Sequence, residues 1–225
     1  MTRLHRFRHW LSRFQTPPWP SQPLHQARLV VVDVETTGLS MRHDVLISIG
    51  AVVIERLGLD FTQQFERTLH ADTSRSLDNV LIHGITPSEI AQGDDPRAAL
   101  ADFSNFIGDS PLLAFHAPFD QSMLQRAYRQ YLGASLSNLF IDVAELAPAI
   151  FPERRPRRET LDSWLQQFGL SVSQRHHAAA DALATGELLL LLLQTARRRG
   201  IDDLAALQRR LELNRRLQRG RNGGG

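Results

Sequence analysis

The chain has 225 residues, 42% hydrophobic and 22% charged, which is enough for one domain of roughly 150 to 200 residues with a full core and too little for two. The absence of cysteine excludes disulfide frameworks, thiolate metal sites and thiol nucleophiles, and is compatible with a reducing, cytoplasmic setting. The net charge of +2 conceals an asymmetry: residues 1–28 carry five Arg and no acid, residues 29–150 seven Arg against sixteen acids, and residues 151–225 fourteen Arg against eight acids. An acidic centre between basic flanks is the pattern expected of a cation site that serves a polyanion.

All 26 basic residues are Arg. That composition suits bidentate phosphate contacts, and it fits a bias in the source's base composition equally well. In chain order, RLHRFRHWLSRF spaces Leu4, Phe7, Leu11 and Phe14 for a short basic amphipathic helix. Docking on its own domain, a membrane surface and nucleic acid are all open to it. QTPPWPSQP reads as a linker. From Arg28 the pattern becomes compact. Strands are expected at RLVVVDV, VLISIGAVVIE and DFTQQFERTL, followed by helices over 86–91 and 96–108. PLLAFH reads as a strand, the segment ending at Gly133 as a helix, and NLFID as a short strand. Three more helices follow, at DVAELAPAIF, at ETLDSWLQQFG and over the long stretch from His177 to Gly200.

The longest apolar run, Leu188 to Leu193, is far shorter than the roughly 20 residues of a membrane span, so no transmembrane segment is expected. The final segment offers one more helix, whose Arg residues fit a solvated face or phosphate contacts equally well. The expected organisation is a basic N-terminal segment with linker over 1–27, one domain over 28–198, and a basic helix with a Gly-rich tail over 199–225. Strands first, then alternating strand and helix, give an α/β class with a mixed sheet flanked by helices.

The residues that carry chemistry are acids. Asp33 and Glu35 stand two apart in VVVDVETTGL, so on a strand they share a face with Cα atoms roughly 6 to 7 Å apart. Like charges at ~6 Å repel by roughly 3 kcal/mol at an effective dielectric of 20, so a cation is expected beside them. Asp120, Asp142 and Asp181 sit at further element boundaries. Oxygen ligands without Cys suit Mg²⁺ or Mn²⁺, and converging carboxylates can hold two such ions roughly 3.5 to 4 Å apart, as phosphodiester cleavage requires. His176, five residues before Asp181, is placed to act as general base toward a water. His177 faces elsewhere, and His5, His9, His25, His43 and His70 read as surface or structural.

DVETTGL, HAPFD and HHAAAD, in that order and separation, resemble the three motifs of the DEDDh 3′→5′ exonuclease superfamily, which includes the epsilon proofreading subunit of bacterial DNA polymerase III. The resemblance covers roughly Arg28 to Arg198 and implies a ribonuclease H-like fold. By resemblance, Asp33, Glu35, Asp120 and Asp181 are metal ligands and His176 the base. Thr36 and Thr37 match positions that line the nucleotide pocket, Asp78 an acid that contacts the terminal sugar, Ile82 a base wedge and His83 a substrate contact. For Ile82, burial in the core fits as well. One departure is His116, where the family commonly has Asn. Another is that neither a clamp-binding motif nor a polymerase-binding segment is evident after Gly200. The expected activity is release of nucleoside 5′-monophosphates from the 3′ end of DNA. RNA as substrate, a polymerase-associated proofreading role and a dead site that only binds nucleic acid are the alternatives, and the oligomeric state is open.

Overall fold

A computed structural model describes residues 18–71, 84–171 and 177–222. The expected N-terminal helix, Asp78, Ile82, His83 and His176 lie outside the described residues.

The domain is built on a five-stranded sheet of order β3-β2-β1-β4-β5. Strands β1 (Leu29–Thr36), β2 (Leu46–Glu55) and β3 (Gly58–Thr68) form an antiparallel meander. β4 (Leu112–Ala114) and β5 (Phe140–Asp142) then run parallel to β1. This strand order is the one expected of the ribonuclease H-like fold that the sequence resemblance implies. The β2–β3 turn is made by Arg56 and Leu57, both left-handed at φ 50° and 60°. Two residues of positive φ give the tight turn whose twist matches that of the flanking strands.

Among the described residues, seven α-helices cover the sheet: α1 (Pro87–Ala91), α2 (Pro96–Ile107), α3 (Ala117–Ala127), α4 (Val143–Ile150), α5 (Leu161–Gln167), α6 (Ala178–Arg198) and α7 (Leu204–Asn222). Thr86, Asp95 and Thr160 cap α1, α2 and α5 through their side-chain oxygens, as the sequence spacing leads one to expect. A π-helical turn, Tyr128–Leu132, carries α3 on to Gly133.

β1 is buried on both faces because its apolar residues serve two cores. Leu29 and Val31 pack with α4, α5, α6 and α7, whereas Val30, Val32 and Val34 pack with α2 and α3. Helix α6 buries eleven of its 21 residues. Leu188, Leu189, Leu192 and Leu193 are fully buried, and each such side chain contributes about 1.5 to 3 kcal/mol. By length and composition alone α6 is apolar enough to cross a membrane, yet 56% of that stretch is buried within the domain.

The first core extends past Arg28 and past Arg198. It includes Leu24 and Ala27 on one side and Leu204, Leu207 and Leu211 on the other. The Leu24 N–H donates to the Asp202 carbonyl (2.8 Å) and the Leu204 N–H to the Gln22 carbonyl (3.1 Å). The C-terminal arginines are partly structural, a role distinct from both expected ones. Arg210 donates to the Ala149 carbonyl (2.8 Å) and Arg199 to that of Ile150, closing the end of α4, where carbonyls lack helical partners. Arg215 pairs with Glu145.

Candidate active site

Because β1, β4 and β5 are parallel, their C-terminal ends meet along one edge of the sheet, where ligands of open α/β sheets bind. Asp33 and Glu35 lie near the end of β1 and continue the alternation of Leu29 and Val31, so they face the α6 side. Glu35 pairs with Ser48 and Thr36 with Leu46. The skipped residue, Ile47, packs beside Ile85 and Ile90.

Helix α6 brings Asp181 to the same place, and the device that allows it is Gly50, the partner of Asp33 across the ladder. A Cβ at Gly50 would lie 2.1 Å from the Ala178 carbonyl carbon and 2.2 Å from the Ala179 nitrogen. Only a residue without a side chain lets the helix start rest on the strand. Further along, Gly186 keeps the approach close; a Cβ there would meet Leu59 Cδ2 at 3.0 Å. As a result, one carboxylate oxygen from each of Asp33, Glu35 and Asp181 lies within 4.8 Å of the other two. Asp181 is 6% exposed and the other two are half-buried.

Charges at such a spacing repel by about 3 to 4 kcal/mol per pair at an effective dielectric of 20. The helix N-terminus eases this for Asp181 by only a fraction. Three oxygen donors in a partly buried cluster fit a hard divalent cation such as Mg²⁺ or Mn²⁺.

Asp120 stands apart from that group of three. It is 4% exposed, and the Val34 N–H donates to its Oδ1 at 3.2 Å. Burial pushes its carboxyl well above the usual carboxylate range, and the charges of Asp142 and Glu35 push the same way. Its helix, α3, starts from His116, which is left-handed (φ 66°, ψ 45°) and offers no side-chain cap. The family's usual Asn and the His found here are both residues enriched in that conformation. The exchange therefore preserves the backbone. The Asp142 carboxylate accepts from the His116 N–H (3.0 Å) and the Ala144 N–H (2.9 Å). Its own pKa is raised by burial first and by Glu145 next.

Beyond Glu35 the loop is braced from within. Thr36 Oγ1 donates to the Gly38 carbonyl (2.6 Å), and Thr37 Oγ1 donates to Asp44 (3.0 Å) while accepting from the Val45 N–H (3.1 Å). The hydroxyls of Thr36 and Thr37, the two positions that the resemblance matches to the lining of the nucleotide pocket, thus hold the loop. Arg126 adds bonds to the carbonyls of Met41 (3.3 Å) and Asp44 (2.9 Å). The braced loop presents Leu39, 82% exposed, and Met41, 52% exposed. Sequence reasoning singled out neither, nor Gly50; the only signals were an apolar pair in a turn and a glycine inside a strand. His177 is engaged elsewhere, with Nε2 at 3.2 Å from Glu66 Oε1.

The profile of the RNase T exonuclease family matches residues 30–189. The chain is 32% identical over 199 residues to the DNA polymerase III PolC-type of Bacillus subtilis, covering 88% of this chain and 14% of that one. It is 33% identical over 181 residues to the PolC-type of Halalkalibacterium halodurans, covering 80% and 12%. It therefore spans about one seventh of the length of these relatives. The structure of E. coli Exonuclease I with a dT13 oligonucleotide superposes with a TM-score of 0.66 at 18% identity, covering 77% of this chain and 42% of that one. The complex with a dA16 oligonucleotide gives 0.63 at 19%, with the same coverage. These structures share the fold. The match across 30–189, together with an acidic cluster where the parallel strands end, establishes that the chain belongs to the RNase T exonuclease family, the DEDD enzymes that hydrolyse phosphodiester bonds from the 3′ end.

Proposed function

We propose that the protein removes nucleotides from the 3′ end of DNA, single-stranded or frayed, releasing nucleoside 5′-monophosphates with the help of two Mg²⁺ or Mn²⁺ ions. The observation that carries this reading is the convergence of Asp33, Glu35 and Asp181 within 4.8 Å. DNA is favoured over RNA because the curated relatives are named as DNA polymerases and the Exonuclease I structures hold dT13 or dA16 oligonucleotides.

Asp33 would be the carboxylate shared by the two ions. Glu35 and Asp181 would help hold the ion on the side of the attacking water, and Asp120 the ion on the leaving-group side. Bound there, such ions would supply Lewis acidity toward the phosphoryl oxygens and a water acidic enough to attack near neutral pH. His176 takes the proton from that water at a neutral imidazole, which places its working range above a pKa of roughly 6.5. Leu39 and Met41 offer apolar surface to an unstacked terminal base. By the family resemblance, Thr36, Thr37, Asp78, Ile82 and His83 are the further residues assigned to the terminal nucleotide.

The test is incubation of the protein with end-labelled single- and double-stranded DNA and RNA in Mg²⁺, Mn²⁺ or EDTA. A DNA ladder that shortens from the 3′ end, releases mononucleotides and vanishes in EDTA is the expected result. Cleavage confined to RNA would reassign the substrate, and shortening from the 5′ end would remove the reading altogether. A His176→Ala protein that kept both rate and pH profile would remove the base.

A further inference from the structure

The geometry points to Asp142 as a positioning residue for Asp120: its carboxylate ties the start of α3 to the end of β5 and so sets where Asp120 stands. The consequence for turnover rests on the metal reading above; the tether itself does not.

Strands β4 and β5 pair in register, Ala114 opposite Asp142, so the chain leaves both strands at neighbouring points. From β4 it must turn at once into α3. That turn is His116 in the left-handed region, a conformation that L side chains strain to adopt. Asp142 Oδ1 supplies the compensating contact by accepting the His116 N–H at 3.0 Å across 26 residues of sequence. Four residues after His116, Asp120 reaches back to the Val34 N–H. A small rotation of α3 about its first residue would move that carboxylate off β1.

Capping alone does not explain the acid. The same oxygen caps α4 through the Ala144 N–H, but Thr86 and Thr160 do as much for α1 and α5, and Asp95 for α2. Among the described helix caps, only Asp142 also holds the N–H of another strand's exit. Its two bonds can be separated by substitution. Asn keeps an oxygen at the same reach, Ser keeps a good cap but is one atom shorter, and Ala keeps neither.

The experiment compares Asp142→Asn, Asp142→Ser and Asp142→Ala by three readouts: melting temperature, amide hydrogen exchange of the metal-free protein, and exonuclease rate as a function of Mg²⁺ concentration. Asp142→Asn is expected to stay within about threefold of wild type in rate, with slow exchange retained at His116. Asp142→Ser should keep the melting temperature and protection of residues 144–147 while exchange at 116–120 accelerates. Its kcat should fall by about tenfold, since misplacement by an ångström can cost ~10²-fold, and its half-saturating Mg²⁺ should rise severalfold. Should Asp142→Ala fail to fold, the Asn and Ser pair still decides. Unchanged exchange at 116–120 in Asp142→Ser overturns the tether. Faster exchange with unchanged rate and Mg²⁺ dependence overturns the positioning role. Loss of rate in Asp142→Asn as deep as in Asp142→Ser overturns it too, because the charge itself would then be acting. A wild-type rate indifferent to Mg²⁺ overturns the metal reading and the claimed consequence for Asp120, while the exchange data still decide the tether.

Discussion

Two carboxylates reach the candidate site from the first turns of helices, and they are delivered by opposite means. Asp181 arrives on a 21-residue helix pressed onto the sheet, its position set by a glycine that removes the obstacle between helix and strand. Asp120 arrives on an 11-residue helix that starts from a strained residue and is steered by hydrogen bonds. Close packing resists displacement in every direction, because interiors are dense and transmit strain. A hydrogen bond fixes one distance and is worth about 1 kcal/mol. The side of the site built by packing should therefore fail abruptly, and the tethered side by degrees.

The largest expected effect is chemical. Asp181→Ala or Asp33→Ala should lower Mg²⁺-dependent turnover by about 10³-fold or more with the fold intact by circular dichroism; near-normal rates in either would end the two-ion reading. Next comes the packed contact. Gly50→Val places atoms where the backbone of Ala178 and Ala179 lies, so it should cost about 3 kcal/mol or more and abolish activity. A normal melting curve for this variant would show that α6 can rise off β2 without consequence.

Asp120→Asn sharpens the contrast. It should lower the rate by about 10²-fold, yet raise the melting temperature of the metal-free protein at pH 7, because Asn still accepts from Val34 and carries no buried charge. The sign follows from a carboxyl whose folded pKa is raised. Its stabilising contribution is complete below the unfolded value of 3.8 and is lost as pH rises through the folded value. Melting in EDTA should thus weaken from about pH 4 upward in the wild type and less steeply in Asp120→Asn. A variant with the wild-type slope would count against burial as the cause. The smallest effect belongs to the rim: Leu39→Ala should raise KM about fivefold with kcat unchanged, as expected for the loss of apolar contact with a base worth about 1 kcal/mol. A fall in kcat alone would place Leu39 in the chemical step instead.

Much of this was legible in the residues. Alternation along β1 placed Asp33 and Glu35 on one face, and the helix expected from His177 put Asp181 in a first turn. Boundaries followed wherever the chain carried its own punctuation: Pro96 and Gly108 bracket α2 and Gly133 ends the helical run. What was not legible depended on partners distant in sequence. PLLAFH reads as six strand residues, but β4 has three, because the chain must turn at His116, and only β5 beside it supplies the acceptor that holds the turn. Gly50 reads as a weak point in a strand until Ala178, more than a hundred residues away, is seen to occupy the space its side chain would fill. The Arg residues after Gly200 look alike in sequence, yet Arg210 and Arg215 are engaged with α4, which no spacing rule reveals.

Helix α7 runs from the Gln22 segment, beside the start of β1, to the opposite edge of the sheet, where Leu211, Asn214, Arg215 and Gln218 line a cavity of about 220 Å³ together with His116 and Asp142. Its far end therefore stands at the rim of the catalytic edge. Shortening the chain to a point before Leu211 would strip one wall from the cavity beside His116 and Asp142, so the end of α7 is not an appendage that can be trimmed without consequence for that edge.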